Sequence, residues 1–314
     1  MFDADAFIRD AESSVKEQIK GKAIIACSGG VDSSAAAVLA GRVLGSDLLA
    51  VFVDTGLMRK DEPEEVNEMF RDTGINFKTV DASEEYFDAL KGVTDPERKR
   101  KIIGEKFIRI FEREAKDFGA KYLIQGTIAP DVIESGEGNK GLIKSHHNVG
   151  GLPEEIDMTL VEPLRELYKE DVRKVARKLG IKSSERQPFP GPGLAVRCLG
   201  EVTMDNVRIV REACHIVEDE LEKAAAKGKM KIPWQYFAVL LPTRSVGMRG
   251  SERAYGRTIA IRAVESSDGM TASHSDIPLT VLNRISKRIT DSMEDVSRVV
   301  YDLTDKPPAT VEWE

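Results

Sequence analysis

A short glycine-containing loop between an apolar run and a helical run is the feature that most constrains this chain. The apolar run occupies residues 23–27 (AIIAC), the loop residues 28–34 (SGGVDSS), and the helical run residues 35–40 (AAAVLA). This order predicts a buried strand, a tight turn and a helix. Such a turn directs backbone N–H groups and the positive end of the helix dipole at one point, which suits a phosphate group. Asp32 fits beside phosphate only when a divalent cation lies between the two.

The first half of the sequence alternates strand-like and helical segments. Strands are predicted at residues 23–27, 48–53, 77–80 and 122–125, and helices at residues 32–44, 63–72 and 100–118. Short strands separated by helices predict an α/β fold, with a parallel sheet that helices cover on both faces. Ligands bind beyond the carboxyl ends of such strands. The loop and three polar segments fall there, at residues 53–56, 81–82 and 125–127. One aspartate at a strand end can simply cap the next element, so it is their convergence that favours a site.

A proline- and glycine-rich segment at residues 187–193 (QPFPGPG) predicts a domain boundary. We therefore expect one domain at residues 1–187 and a second at residues 188–314. The second sequence half is predicted to contain helices at residues 203–226 and 278–292 and strands at residues 237–241, 257–264 and 299–303. This order predicts an α+β module that is smaller than the first domain.

Composition argues against several classes of function. The net charge of −7 over 314 residues is unsuited to a protein that neutralises the backbone of a nucleic acid polymer. Cys27, Cys198 and Cys214 are odd in number and widely spaced. They offer neither a disulfide framework nor a C-x-x-C pair, so we expect a reducing, cytoplasmic location. The sequence shows no apolar run near the length that spans a bilayer.

Two stretches rich in glycine and charge, at residues 91–101 and 134–151, interrupt the alternation of strands and helices. Long irregular segments in a compact domain are usually either functional lids or disordered. The basic run at residues 98–101 is either the solvated start of a helix or a phosphate clamp. The sequence alone leaves both interpretations open.

Histidines and carboxylates lie in or beside the second stretch. The neighbouring side chains of His146 and His147 diverge and make a poor metal pair, but beside Lys144 they suit a phosphate group. Asp131 and Glu134 are either part of a surface turn or ligands of Mg²⁺. Mg²⁺ takes carboxylates together with substrate phosphates.

The last residues of the sequence, 306–314 (KPPATVEWE), alternate Val311 and Trp313 with glutamates, as an edge strand does. The segment is predicted to be either a docked terminal strand or a tail that brings Lys306 and Glu312 into a ligand site.

Taken together, these segments resemble GMP synthase. The resemblance rests on motifs spread over almost the whole chain, at residues 28–34 (SGGVDSS), 92–104 (GVTDPERKRKIIG), 125–135 (QGTIAPDVIES), 144–153 (KSHHNVGGLP), 162–167 (EPLREL), 188–193 (PFPGPG) and 306–314 (KPPATVEWE). It implies an N-type ATP pyrophosphatase domain followed by a dimerisation domain, with ATP and Mg²⁺ required. The loop has no lysine of the GxxxxGK(S/T) kind, so it differs from loops that serve γ-phosphate cleavage.

In this family ATP adenylates the C2 oxygen of XMP, pyrophosphate leaves, and ammonia then displaces AMP to give GMP. The resemblance implies that ATP and pyrophosphate bind to Ser28, Gly29, Gly30, Val31, Asp32, Ser33, Ser34, Val53 and Gly126. Catalytic roles fall to Asp32, Lys144, Asp131, Glu134, His146 and His147, with Asp32 and Asp131 as metal ligands. A lid would carry Arg98, Lys99 and Arg100. XMP would bind to Gln235, Arg298, Lys306, Val311 and Glu312.

One departure from the family matters for the source of ammonia. Single-chain members carry an N-terminal glutaminase domain, whereas only residues 1–27 precede the loop here. The resemblance therefore implies the synthetase subunit of a two-subunit enzyme, as in archaea. It would take ammonia directly or from a separate glutaminase subunit, which is a glutamine amidotransferase. It would also form a homodimer through its C-terminal domain.

Three other functions remain open. NAD synthetase shares the loop and the ammonia chemistry, but not the PFPGPG segment or the tail. A tRNA-modifying thiolase would need a cysteine pair and a basic face for RNA, which the charge and the cysteine spacing disfavour. A non-catalytic, regulatory nucleotide-binding dimer is compatible with the loop alone.

Overall fold

The computed structural model describes residues 2–135, 158–181, 187–267 and 269–314. The chain divides into two compact units. The first unit comprises Met1–Gly56, Asp61–Ser83 and Ile103–Glu185, and the second comprises Leu57–Lys60, Glu84–Ile102 and Arg186–Glu314. Two short segments from the first half of the sequence thus belong to the second unit. The domain boundary near residue 187 stays a prediction.

The first unit is built on a parallel sheet. Its strands are β1 (Ala23–Ala26), β2 (Leu48–Asp54), β3 (Phe77–Asp81), β4 (Tyr122–Ile124) and β5 (Thr159–Val161). They lie in the order β3-β2-β1-β4-β5, and every neighbouring pair is parallel. The predicted parallel α/β architecture is therefore confirmed. Four of these strands were predicted from the sequence, and β5 was not.

The helices of the first half of the chain alternate with these strands. They are α1 (Ala4–Gln18), α2 (Val31–Leu44), α3 (Glu62–Arg71), α4 (Ser83–Leu90), α5 (Pro96–Phe118), α6 (Ala129–Ser135) and α7 (Lys169–Lys178). Helix α2 follows β1 and is buried without interruption from Ser34 to Gly41. Strands β1 and β2 carry fully buried side chains such as Ile24 and Phe52. Burial on both faces explains why these strands are continuous apolar runs in the sequence.

The second unit combines long helices with a mostly antiparallel sheet. Its helices are α8 (Met204–Ala226) and α9 (Leu279–Ser292), and its strands are β6 (Gln235–Arg249), β7 (Glu252–Glu265), β8 (Ser273–His274) and β9 (Val296–Tyr301). Strand β7 pairs with β6 and β8 antiparallel and with β9 parallel. Helix α8 packs on β6, and α9 packs on α8 and β9. The predicted α+β module is confirmed.

The stretch at residues 91–101, expected to be irregular, departs from that expectation in its second half, where the interpretation of residues 98–101 as the start of a helix is confirmed. Helix α5 begins at Pro96, so the second half of that stretch is helical. Its first turn is stabilised by the Asp95 side chain, which accepts a hydrogen bond from the backbone N–H of Arg98 at 2.8 Å.

Of the two interpretations of the terminal segment, the docked terminal strand is wrong, and the tail in a ligand site stays a prediction. Apart from an isolated bridge between Ala272 and Lys306, residues 302–314 form no strand. We call this segment the C-terminal strap. Its polar contacts with buried cations, described below, replace the pairing that the alternating pattern predicted. No helix in the described part of the chain is long and apolar enough to cross a membrane.

Candidate active site

The loop at residues 28–34 follows β1, which lies at the centre of the parallel sheet between β2 and β4. Gly29 adopts a positive φ of 77°, and a Cβ at this position would lie 2.8 Å from a methyl group of Val66. Only glycine meets both conditions. The Ser33 hydroxyl donates to the carbonyl of Gly30 at 3.2 Å and accepts from the backbone N–H of Ser28 at 3.3 Å. These bonds close the loop into a compact turn.

The loop opens directly onto the N-terminus of α2. Gly30 is the N-cap residue and supplies no side-chain hydrogen bond to the helix. The first backbone N–H groups of a helix have no acceptor within that helix. Those of Val31, Asp32 and Ser33 are therefore placed to bind an anion, and the helix dipole adds to their attraction.

Asp32 combines an ion pair with an unused oxygen. Its Oδ2 accepts a hydrogen bond from the Lys169 ammonium at 2.5 Å. Its Oδ1 is buried and has no hydrogen-bond partner among the described residues. The hydroxyl of Ser34 is also buried and has no hydrogen-bond partner among the described residues. Buried oxygens without partners are costly, and they are the donor atoms that a hard cation such as Mg²⁺ prefers.

Lys169 is a residue that the sequence analysis missed. It is the first residue of α7, and it follows the EPLREL motif at residues 162–167 by one residue. Its position close to that motif is the one feature of the sequence that could have marked it as a site residue. The ammonium places a positive charge at a loop whose own sequence contains none.

Gly126 follows β4 and lies against the start of α2. A Cβ on Gly126 would stand 2.8 Å from the backbone nitrogen of Ser33 and 2.9 Å from the carbonyl carbon of Asp32. Val53, by contrast, is buried in β2 with 2% exposure. The structure thus brings Gly126 into direct contact with the loop, because only glycine allows so close an approach.

Other polar residues at the strand ends cap local structure. Asp54 Oδ1 accepts from the N–H of Gly56 at 2.8 Å. Asp81 accepts from the hydroxyl and the backbone N–H of Ser83, and these bonds lower the pKa of its carboxyl group. Asp131 Oδ2 accepts from the N–H of Ile128 at 3.0 Å, just before α6. The capping interpretation of an aspartate at a strand end therefore holds for Asp81.

Several residues of the implied site lie beyond what the structure describes. Lys144, His146 and His147 fall outside the described residues. Glu134 belongs to α6, but its side chain is likewise not described. Their predicted roles therefore remain predictions. Within the described ranges, no group of three or more His, Cys, Asp and Glu side chains forms a metal site.

The three residues expected in a lid have different environments. Arg98 is exposed at the start of α5, and Arg100 pairs with Glu97 in the same helix turn. Lys99 is completely buried. Its ammonium donates to the carbonyl of Cys198 at 2.7 Å and pairs with the carboxylate of Glu314. The Lys99 charge is thus already paired inside the second unit.

The residues implied in XMP binding form one close pair and two separate contacts. Gln235 Nε2 donates to Glu312 Oε1 at 2.9 Å. Arg298 Nε instead donates to the Ser245 hydroxyl at 3.0 Å, and the Lys306 ammonium donates to the carbonyl of Gly269 at 2.7 Å. Val311 is half-buried beside Glu312 in the strap.

A second residue that the sequence did not indicate, Arg197, binds the carboxylate of the Gln235–Glu312 pair. Arg197 is 1% exposed and donates to both carboxylate oxygens of Glu312, from Nε at 3.0 Å and from Nη2 at 2.8 Å. An arginine within the apolar run GLAVRCLG, at residues 193–200, was the available signal, because a charge in such a run must find a buried partner.

Burial also controls the protonation of nearby groups. It raises the pKa of the Glu218 carboxyl, against the opposing charges of Arg59 and Arg197. It raises the pKa of the Cys198 thiol to about 12. All three cysteines are buried and free, so thiolate chemistry near neutral pH is disfavoured. This agrees with a packing role and disfavours the thiolase alternative.

Two protein families match separate parts of the chain. The family described as NAD synthase matches residues 4–109, and the family described as GMP synthase C terminal domain matches residues 219–313. Among solved structures, an NH3-dependent NAD synthetase from Campylobacter jejuni aligns with a TM-score of 0.45 and 14% identity, over 58% of this chain and 76% of its own.

Three curated relatives match the chain along its whole length. The relative from Methanopyrus kandleri is 57% identical over 100% of both chains. That from Pyrococcus furiosus is 58% identical over 99% of this chain and 97% of its own, and that from Thermococcus kodakarensis is 59% identical over 98% and 99%. Each is described as GMP synthase (glutamine-hydrolyzing), with its subunit designated B. The resemblance seen in the motifs is confirmed, and the chain belongs to the GMP synthase (glutamine-hydrolyzing) family, in the group of subunits designated B.

Proposed function

We propose that this chain is the synthetase subunit that makes GMP from XMP, ATP and ammonia. The observation that carries the proposal is the anion-binding turn at residues 28–34, with the buried and unused Oδ1 of Asp32 at its centre. This turn lies in a chain that matches relatives from this family over its full length. A separate glutaminase subunit would supply the ammonia.

The turn would bind the phosphates of ATP and hold the pyrophosphate after cleavage. Backbone N–H groups of Val31, Asp32 and Ser33 offer hydrogen bonds, and Ser28 is an exposed residue whose hydroxyl contacts that of Ser33 within the loop. Lys169 places a cation 2.5 Å from Asp32. Developing negative charge on the leaving pyrophosphate would thus meet fixed donors and a positive charge, the arrangement that lowers the barrier of phosphoryl and adenylyl transfer.

The residues present also fit Mg²⁺. Asp32 Oδ1 is an anionic oxygen without a partner among the described residues, and Ser34 contributes a second unpartnered oxygen nearby in sequence. When bound, Mg²⁺ would neutralise charge on the phosphate oxygens. Asp32 would hold it, and Asp131 is proposed as a further carboxylate ligand. Lys169 would then be released from Asp32 to contact phosphate.

XMP would bind to the second unit, along the C-terminal strap. Lys306 and Arg298 are cations suited to the phosphate of the nucleotide. Glu312, paired with Gln235, is an acceptor suited to the N–H groups of the xanthine base. Val311 would contribute an apolar contact with the base.

The reaction proceeds in two displacements. The C2 oxygen of XMP attacks the α-phosphorus of ATP, and the bond from that phosphorus to the bridging oxygen breaks as pyrophosphate leaves. Ammonia then attacks C2, the C2–O bond breaks, and AMP leaves with the former XMP oxygen. One proton is released and the product is GMP. Adenylation is needed because an unmodified carbonyl oxygen is a poor leaving group.

The remaining implied residues are proposed to act near the reacting groups. Arg98 and Arg100 are proposed as lid cations, and Lys144, His146 and His147 as donors to phosphate. Glu134 is proposed to assist metal or ammonia handling. Lys99 is the least suited to the lid, because its ammonium is fully buried and paired with Glu314.

We also propose that the second unit forms a homodimer. The hairpin of β6 and β7 exposes an apolar face at its end, where Val246 and Tyr255 are directly paired and Met248 lies on the same face. Val246 is 54% exposed, and Met248 and Tyr255 are each 63% exposed. On the opposite face, Gly247 and Gly256 lie against Ser297 of β9, which leaves no room for a Cβ at either position. Exposed apolar faces of this kind mark interaction surfaces.

Isotope transfer tests the chemistry directly. XMP labelled with ¹⁸O at C2 is incubated with the chain, ATP, Mg²⁺ and ammonium, and the products are analysed by mass spectrometry. The proposal predicts one ¹⁸O atom in the phosphate of each AMP and none in pyrophosphate. Unlabelled AMP formed together with GMP would contradict adenylation of the C2 oxygen.

A further inference from the structure

The C-terminal strap is held by three cations that are almost completely buried. Lys99, Arg197 and Arg262 have exposed fractions of 0%, 1% and 0%. Lys99 pairs with Glu314, and Arg262 donates to the backbone carbonyls of Thr304 and Thr310. Burying a cation is costly unless it is paired, and each of these three cations is paired with a group of the strap. The strap is therefore held in one position by specific polar contacts.

Arg197 differs from the other two cations because it binds Glu312, a side chain implied in ligand binding. Its guanidinium donates to both oxygens of Glu312. It also lies over the ring of Phe237 at 4.0 Å and near that of Phe189 at 5.1 Å. The aromatic rings fix the plane of the guanidinium, and a two-point bond then fixes the plane of the carboxylate.

This arrangement leaves Glu312 partly available. Oε1 accepts from Arg197 and from Gln235, whereas Oε2 accepts only from Arg197 among the bonds of the described residues. The side chain is 19% exposed. A carboxylate oxygen can accept about two hydrogen bonds, so Oε2 retains capacity for one more donor. The xanthine ring offers an N–H donor at N1, next to C2.

Arg197 is also permanently charged. Burial alone would lower the pKa of the guanidinium, but the charge of Glu312 and its hydrogen bonds outweigh burial and raise it. Glu312 therefore faces a fixed cation at every pH at which the chain is folded.

We propose that Arg197 is a positioning residue for XMP, which orients the Glu312 carboxylate so that one oxygen accepts an N–H of the xanthine ring. The inference rests on the proposed function. Arg197 does not touch the nucleotide itself and acts through Glu312. Lysine at this position would keep the charge but could not make the two-point bond.

A double-mutant cycle on XMP binding tests this. The Kd of XMP is measured by calorimetry, without ATP, for the wild type, R197K, E312Q and the double variant. We expect R197K to raise the Kd at least about tenfold, with the KM of ATP changed less than twofold. We expect the same substitution made in E312Q to change the Kd less than twofold.

Thermal unfolding by circular dichroism checks that each variant is folded. R288K is the control, since Arg288 pairs with Asp219 and Glu220 in the same unit; its Kd for XMP should equal that of the wild type. If R197K does not fold, F189L replaces it, because it removes one of the two rings that hold the plane of the guanidinium while the Phe237 ring and the ion pair with Glu312 remain. The Kd of XMP should then rise by a smaller factor than expected for R197K, and a Kd equal to that of the wild type would count against the inference.

Three results would overturn the inference. The first is an XMP Kd in R197K equal to that of the wild type. The second is an additive effect of the two substitutions, because Arg197 would then act independently of Glu312. The third is a wild type that binds ATP but not XMP, which would overturn the proposed function as well and is thereby distinguished from the other two.

Discussion

Gly126 offers a quantitative test of the phosphate-binding turn. In G126A, the new methyl group would stand 2.8 Å from the Ser33 nitrogen and 2.9 Å and 3.0 Å from the carbonyl carbon and oxygen of Asp32. Comfortable contact needs about 3.5 Å, so the loop must shift by roughly 0.5 Å or more. All three contacts are to backbone, which has no rotamer to change. Overpacking of this kind costs about 1–3 kcal/mol.

The control is G21A, in the same unit. A Cβ on Gly21 would meet only a ring carbon of Tyr122 at 3.8 Å, and like Gly126 it does not have a positive φ. Both variants gain about 0.4–1 kcal/mol from reduced freedom of the unfolded chain, so their difference isolates the contact with the loop.

We expect urea unfolding to show G126A to be less stable than G21A by about 1–3 kcal/mol. Steady-state kinetics should show a raised KM for ATP in G126A and an unchanged KM for XMP. Equal stability of the two variants, with wild-type KM values for ATP in both, would refute the argument that Gly126 shapes the turn.

Three further predictions follow from other parts of the structure. D32N removes the anionic oxygen proposed for Mg²⁺, so kcat/KM should fall at least about 100-fold, and the Mg²⁺ concentration for half-maximal activity should rise; activity and metal dependence like those of the wild type would contradict the role. Because burial raises the pKa of Glu218, its contribution to stability is full below the unfolded pKa and is lost as pH rises through the folded pKa. The stability of E218Q relative to the wild type, measured by urea unfolding, should therefore increase from acid to neutral pH, and a pH-independent difference would speak against it. Y255E places a charge on the apolar hairpin face and should give a monomer in light scattering, whereas Y168E, at a tyrosine with a similar exposure of 57%, should leave a dimer; a dimer in Y255E would count against that interface.

The sequence predicted the parallel sheet because its strands are buried on both faces. Runs such as residues 23–27 and 48–53 are apolar throughout and end at turn residues, which gives a strong local signal. Strand β5 has only three residues, and two of them are exposed. It was missed because so short a strand, at the edge of the sheet, carries no pattern of its own.

Buried charges account for most of the differences between the site expected from the sequence and the site in the structure. Residues 98–101 look like a solvated basic run, yet Lys99 is completely buried, because the strap supplies Glu314 from the far end of the sequence. The alternation of Val311 and Trp313 with glutamates likewise suggested an edge strand, because the local pattern does not show that Glu312 and Glu314 pair with buried cations. Pairing between distant residues, such as Arg197 with Glu312, depends on the tertiary fold and leaves only a weak trace in local patterns.

The central claim is that this chain alone converts XMP to GMP when ammonia is supplied. The direct measurement is XMP consumption, followed by absorbance, with ATP and Mg²⁺ and either ammonium chloride or glutamine as the nitrogen source. We expect turnover with ammonium and none with glutamine until a separate glutaminase is added. XMP left unconsumed in the presence of ammonium, by a chain shown to be folded, would contradict it.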